Sequence, residues 1–283
     1  MTARIYYQPR SLDEALGLLA QHGPGLLVIA GGTLAMPLVN KGVSLPEAAM
    51  GLRRAGLDRI TTGDHAIGIG STVTLTQVAQ ANLPLLSEAA RHIGGWTIRN
   101  MGTVGGNLFA PPPAGDLAAA LLALDAQIVL ASQRGQRVMP LADFFIGFLM
   151  TALEPDELVV EFRVPWAGGE VPPHSRRNTA FLKHGRLHSN TPAVVTVAAQ
   201  VVRSNGSVKD ARIALNAVAP HPMRARKAEA ALIGSKGDEA AIAAAADAAM
   251  QECEPFTDPI ASEWYRRKMT GVIVKRALAQ ALA

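Results

Sequence analysis

Apolar positions in the first sixty residues recur with two different periods. In "SLDEALGLLAQHG" (residues 11–23) they fall at 12, 15, 16 and 19, the spacing of a helix with one buried face. Ser11 stands where an N-cap belongs, Glu14 completes a capping box, and Gly23 is placed to stop the helix. On either side, "ARIYYQP" (3–9) and the apolar run of "LLVIAGGT" (26–33) predict strands, the second of them buried. This β-α-β order predicts a small parallel sheet.

From about residue 61 the pattern changes. "AIGIGSTVTL" (66–75) reads as a strand rich in small and β-branched residues, and a helix begins in "TLTQVAQ" (74–80). "LPLLSEAARHIGG" (83–95) and "DLAAALLALDA" (116–126) read as helices, the latter N-capped by Asp116. "DAQIVLAS" (125–132), "QRVMPLADFF" (136–145) and "ELVVEFRVP" (157–165) supply strands and turns. The Gly/Pro-rich "PWAGGEVPPHS" (165–175) reads as a linker. Beyond it, "NTAFLKHG", "AVVTVAAQVV" and "ARIALNAVAP" alternate like strands of an antiparallel sheet, with "SNGS" (204–207) as a hairpin turn. The last sixty residues are helical: "RARKAEAALIG", "DEAAIAAAADAAMQEC" and "SEWYRRKMTGVIVKRALAQAL". The expected fold class is α+β.

Composition narrows the function. The 283 residues suffice for about two domains, and 49% hydrophobic against 18% charged is a globular balance. The start carries no basic segment followed by a long apolar run, which predicts a cytoplasmic protein. The longest apolar stretch, from Leu117, is broken by Asp125 and Gln127, so no membrane insertion is expected. A net charge of +4 is scattered, and only 5% of residues are aromatic, which argues against nucleic acid as a partner. The single cysteine, Cys253, excludes an internal disulfide and a cysteine-held zinc or iron–sulfur centre. Its glutamate-flanked helical setting argues against a reactive thiolate.

Two glycine pairs remain as candidate chemistry, in "AGGTLAMP" (30–37) and "GTVGGN" (102–107). Clustered backbone N–H groups in such turns bind phosphate oxygens without a side-chain cation, and two nests would clamp the two phosphates of a dinucleotide. Thr33, Thr103 and Asn107 would add side-chain donors. Two tight turns with no ligand would read the same way. "GIGSTV" (68–73) lacks the third glycine of a nicotinamide fingerprint, and no P-loop is present. His184 and His188 stand four apart, but Gly185 between them argues against a zinc-binding helix, and no metal is expected. No serine sits in a nucleophile elbow. Asp116 suits both an N-cap and a carboxylate for ligand hydroxyls, and Trp96 reads as core.

"IAGGTLAMP", "TIRNMGTVGGNLFAPPPAGDLAAALLALDAQIVL" and "ALEPDELVVEFRVP" resemble the FAD-binding (medium) subunit of the molybdenum hydroxylases, the family of the carbon monoxide and xanthine dehydrogenases. "RIALNAVAPHPMRARKAEAAL" and "EWYRRKMTGVIVKRAL" resemble the C-terminal region of the same subunits. The resemblance implies a two-subdomain FAD-binding fold of the vanillyl-alcohol-oxidase (PCMH) type, at residues 1–60 and 61–168. A C-terminal antiparallel sheet with a helical bundle would follow at 175–283. It implies that Ala30, Gly31, Gly32, Thr33 and Leu34 form the first pyrophosphate loop, and Thr103, Val104, Gly105, Gly106 and Asn107 the second. Asp116 would meet the flavin's sugar-alcohol chain, Val159 the ring, and Lys183 would lie near it. Relatives carry His-Ser or Asn-Thr where this chain has Thr33-Leu34, and some carry a ring-shielding Asp-Tyr where it reads "HSNTPAVV". No His or Cys stands at an attachment point, which implies noncovalent FAD.

By the same resemblance the chain would be an electron-exit subunit. A molybdenum–pterin cofactor on a large subunit and [2Fe–2S] clusters on a small one would feed FAD here, for delivery to a terminal acceptor. The assembly would be a dimer of heterotrimers. The alternatives are a stand-alone FAD-dependent oxidoreductase and a flavin-free assembly subunit.

Overall fold

The computed structural model describes residues 5–165, 178–187 and 190–283. The chain opens with β1 (Ile5–Tyr7), α1 (Leu12–His22), β2 (Leu26–Ile29), α2 (Ala35–Asn40) and β3 (Ala48–Gly51). β3 lies between β1 and β2 and runs parallel to both, as the β-α-β pattern predicts. Ser11 caps α1 by accepting from Glu14 N, but the Glu14 carboxylate accepts from Arg10 N, so the capping box is not reciprocal. Gly23 ends the helix with φ of 54°. β2 departs from its prediction. Only Leu26 is buried, because β2 is an edge strand and its remaining side chains border a cavity.

Next come β4 (Ile60–Thr62), β5 (Ala66–Gly70), α3 (Leu75–Gln80), α4 (Pro84–Arg91), α5 (Trp96–Met101), α6 (Val104–Leu108) and α7 (Leu117–Ala123). They are followed by β6 (Gln127–Ser132), β7 (Gly135–Pro140), the hairpin β8 (Phe145–Gly147) and β9 (Met150–Thr151), and β10 (Leu158–Pro165). Strands β4, β5, β10, β6 and β7 form, in that order, an antiparallel sheet. One face packs Val129, Ala131, Leu158 and Val160 against Leu16 and Leu19 of α1 and Met50 of β3. The other packs Ile128, Leu130, Val159 and Phe162 against the helices, above all the wholly buried α7. Strict alternation would put Val159 and Phe162 on opposite faces. A bulge between Val159 and Glu161 shifts the register by one and brings them together. Trp96, expected in the core, is 70% exposed on α5.

The third part comprises β11 (Thr179–Gly185), β12 (Ala193–Ser204), β13 (Ser207–Asn216), β14 (Met223–Arg224), α8 (Arg226–Leu232), α9 (Glu239–Glu252) and α10 (Glu263–Leu282). The four strands form an antiparallel sheet in sequence order, and Asn205 and Gly206, with φ of 51° and 76°, make the predicted hairpin turn. Val195, Val197, Ala199 and Val201 face the helices α8–α10, while Ala198, with Phe181 and Ala214, faces α7. β12 is therefore buried on both sides and fastens the third sheet to α7. Arg266 of α10 is fully buried; its guanidinium donates to the carbonyls of Ala193, Val194 and Ala217 and pairs with Asp258 at 2.7 Å. The predicted linker, 165–175, lies outside the described residues beyond Pro165. Among the described residues no helix is long and apolar enough to cross a membrane.

Candidate functional site

Three chain segments meet at a cavity of about 390 Å³. Residues Ala30–Leu34 lead from the edge strand β2 into α2, Thr103, Gly105 and Gly106 stand at the start of α6, and Val159 comes from the bulge of β10. Phe109 and Leu153 add further apolar wall, and the glycines leave backbone surface open between them.

The first segment behaves as the sequence predicts. Gly32 adopts φ of 72°, and a Cβ on Gly31 would overlap the Met101 carbonyl oxygen, so neither position accepts a side chain. The N–H groups of Gly31, Gly32, Thr33 and Leu34 have no acceptor among the described residues. Four unpaired donors in succession beside a cavity suit an anionic oxygen.

The second segment does not. It is a short helix, capped by Thr103, whose Oγ1 accepts from Gly106 N at 3.1 Å. Val104 N donates to Val73 O at 2.9 Å, Gly105 N to Ser71 O at 2.8 Å, and Asn107 N to Thr103 O at 2.9 Å. Every backbone donor from 104 to 107 is engaged, so the expected nest is absent here. The physical reason is tertiary: residues 102–105 are stitched antiparallel to 71–75, with Leu75 N donating to Gly102 O as well. Gly105 is required because a Cβ would lie 2.9 Å from Ser71 O. A Cβ on Gly106 would meet only Thr103 Oγ1, so this glycine leaves the cavity wall open rather than relieving a crowded backbone.

Of the remaining expected residues, Val104 is buried core, and Asn107 turns inward to accept from Leu117 N at 3.1 Å. Asn107 thereby caps α7, the role expected of Asp116, which occupies the N-cap position without a side-chain cap bond. Asp116 is 2% exposed and points at the third sheet. Its Oδ2 pairs with Lys183 Nζ at 2.7 Å, and its Oδ1 accepts from Thr196 Oγ1 at 2.5 Å. Lys183 also donates to His92 O at 3.2 Å. Neither Asp116 nor Lys183 lines the cavity; each neutralises the other across the junction of α7 with β11 and β12. His184 bonds Tyr265 Oη through Nε2 at 3.1 Å, whereas His188 lies outside the described residues. Among the described residues no metal-holding cluster occurs. Cys253 is buried, and that burial pushes its thiol pKa up.

Three polar residues on the cavity wall were not expected: Ser44, Ser71 and Glu157. Ser71, 4% exposed, directly follows β5 within the "GIGSTV" stretch, whose only legible signal was a broken fingerprint. Glu157 is buried beside Leu158, its carboxylate gripped by Arg137 at 2.6 and 2.7 Å. The Arg137 hydrogen bonds hold the Glu157 pKa below the usual carboxylate range despite burial.

The donor set fits a dinucleotide: unpaired N–H groups on one wall, a side-chain-free glycine surface on the other, and apolar residues beyond. Residues 1–167 match the family described as the FAD binding domain in molybdopterin dehydrogenase, and residues 180–281 match the CO dehydrogenase flavoprotein C-terminal domain. The chain belongs to the FAD-binding subunits of the molybdenum hydroxylases. This flavoprotein subunit is 34% identical to the carbon monoxide dehydrogenase medium chain of Hydrogenophaga pseudoflava, over 98% of its own length and 96% of that chain. It is equally similar, at 34%, to subunit alpha of the 6-hydroxypseudooxynicotine dehydrogenase complex of Paenarthrobacter nicotinovorans, over 98% and 94%. Its structure superposes with a TM-score of 0.91 on a chain of the H. pseudoflava carbon monoxide dehydrogenase that lacks the Mo-pyranopterin moiety, at 36% identity, covering 99% and 97%. The mixed helix and sheet architecture of the subunit is thus that of carbon monoxide dehydrogenase medium chains.

Proposed function

We propose that this subunit binds FAD noncovalently in the cavity between its two glycine segments and serves as the electron-exit component of a molybdenum-dependent dehydrogenase. The observation that carries the reading is the convergence of Ala30–Leu34, Thr103, Gly105, Gly106 and Val159 on one cavity in a chain of this family. The free N–H groups of residues 31–34 would hold pyrophosphate oxygens, and Thr103 keeps a hydroxyl proton to donate. The side-chain-free face of Gly106 admits the ligand, while Val159, Leu153 and Leu158 exclude water from its apolar part. Bound FAD supplies the exchange between one- and two-electron carriers, chemistry that needs no protein nucleophile. Asp116 and Lys183 pair with each other outside the cavity lining and fasten α7 to the third sheet.

The reading extends to a PCMH-type fold with boundaries near 1–60, 61–168 and 175–283, and to a disulfide-free cytoplasmic assembly. A large subunit would carry the molybdenum–pterin cofactor and a small one the [2Fe–2S] clusters, since one buried cysteine here leaves no ligands for them. Two such heterotrimers would pair. Relatives of equal identity are named for carbon monoxide and for 6-hydroxypseudooxynicotine, which supports substrate choice on another chain.

The test is a visible absorption spectrum of the purified chain with its co-purifying partners. Flavin bands with an iron–sulfur shoulder, one large and one small partner, are the expected result. Turnover of a substrate by the isolated flavin-loaded chain would point to the stand-alone oxidoreductase. Absence of flavin after reconstitution with FAD would leave the assembly subunit.

A further inference from the structure

Five buried side-chain atoms among the described residues have no hydrogen-bond partner: His22 Nε2, Ser71 Oγ, Thr72 Oγ1, Asn216 Oδ1 and Arg266 Nε. Of their residues, only Ser71 lines the cavity that holds both glycine segments. A buried hydroxyl without a partner is costly, and its retention calls for a partner that the chain itself does not supply.

The backbone of Ser71 is held rigidly. Its N–H donates to Val160 O at 3.0 Å, and its carbonyl accepts from Gly105 N at 2.8 Å, which ties it at once to β10 and to α6. An ideal Cβ on Gly105 would lie 3.0 Å from the Ser71 Cβ, so the missing side chain at 105 is what gives the serine its room. The backbone donors of 104–107 are all spent within the chain. The donors left on this wall are the Thr103 N–H, for which no acceptor occurs among the described residues, and the hydroxyls of Thr103 and Ser71.

We propose that Ser71 Oγ, closed off from the open cavity in the ligand-free chain, turns about its Cα–Cβ bond on binding and donates to an oxygen of the dinucleotide's pyrophosphate from the α6 wall opposite the N–H groups of residues 31–34. The proposal rests on FAD occupying this cavity, and it gives the second wall a donor that the engaged glycine amides cannot supply.

The experiment compares the full-length wild-type chain, stripped of flavin, with Ser71→Ala and with Ser71→Cys, which keeps a weaker donor. Each is titrated with FAD and with ADP, the bound phosphorus resonances are recorded, and the unfolding midpoint of each ligand-free chain is measured. Ser71→Ala is expected to weaken both ligands about tenfold to a hundredfold, the loss of one hydrogen bond to a charged acceptor. It should also move a pyrophosphate resonance and leave the ligand-free midpoint unlowered, with Ser71→Cys in between. Wild-type affinity and unmoved resonances in Ser71→Ala would overturn the inference while leaving FAD binding intact. A lowered ligand-free midpoint would make the hydroxyl structural and overturn it as well. Failure of the wild-type chain to bind FAD would instead sink the cofactor reading, and the inference with it.

Discussion

Gly105 donates its N–H to the carbonyl oxygen of Ser71 at 2.8 Å, and no side chain separates the two backbones. That contact fixes the start of α6 against the residue that follows β5, on one wall of the cavity. Replacing Gly105 by Ala puts a Cβ 2.9 Å from Ser71 O. The expected outcome is a loss of about 1–3 kcal/mol of stability, the usual range for overpacking, read by denaturant unfolding of the ligand-free chain.

Gly106 behaves differently, since its Cβ would meet only the Thr103 hydroxyl. Gly106→Val should fold with nearly wild-type stability and yet purify without flavin. Flavin-to-protein absorbance, set beside a thermal melt, separates the two effects. Retention of FAD by this variant would remove α6 from the site.

The Asp116–Lys183 pair is buried on both sides, with side chains 3% and 8% exposed. Lys183→Met would strand a carboxylate and should cost about 3–5 kcal/mol. Asp116→Asn in the same chain should restore much of that loss, because neutral partners leave no buried charge. A double-mutant cycle in denaturant reads the coupling directly.

Glu157 offers a pH signature. Its folded pKa lies below its unfolded value because Arg137 hydrogen-bonds the ionised form. A depressed carboxylate contributes stability that is complete above the unfolded pKa, near 4.5, and is lost as pH falls through the lower folded value. Unfolding free energy should therefore decline with a steeper slope below about pH 4.5 in the wild type than in Glu157→Gln. Equal slopes would show that the Arg137 contact does not stabilise the ionised form.

Local pattern made most elements legible. The α1 periodicity, the β-α-β order, the "SNGS" turn and the three C-terminal helices each rest on interactions within a few residues, and each stands in the structure. At two of the misread positions a partner distant in sequence outbid the local rule. In "TVGGN" Val73 and Ser71 took the N–H groups of Val104 and Gly105 while Thr103 took those of Gly106 and Asn107, and Asp116 left its own helix to Lys183, 67 positions on, ceding the cap to Asn107. Helix α5 and the β8–β9 hairpin, with Trp96, Phe148 and Leu149 exposed, have no apolar periodicity to announce them.

What the sequence determined by itself was the set of short-range choices, together with the two glycine segments and the family whose motifs they carry. Glycine at 32, with φ of 72°, is a statement about the chain's own backbone, whereas the glycines at 31 and 105 make room for the carbonyls of Met101 and Ser71, neighbours that only the fold supplies. Only the tertiary structure decided which N–H groups remain free for a ligand, which carboxylate is spent on an ion pair, and that Ser71 stands unpartnered at the cavity wall. Hydrogen-bond donors are assigned by competition among all acceptors within reach, and that reach is set by how the sheets pack, not by spacing along the chain.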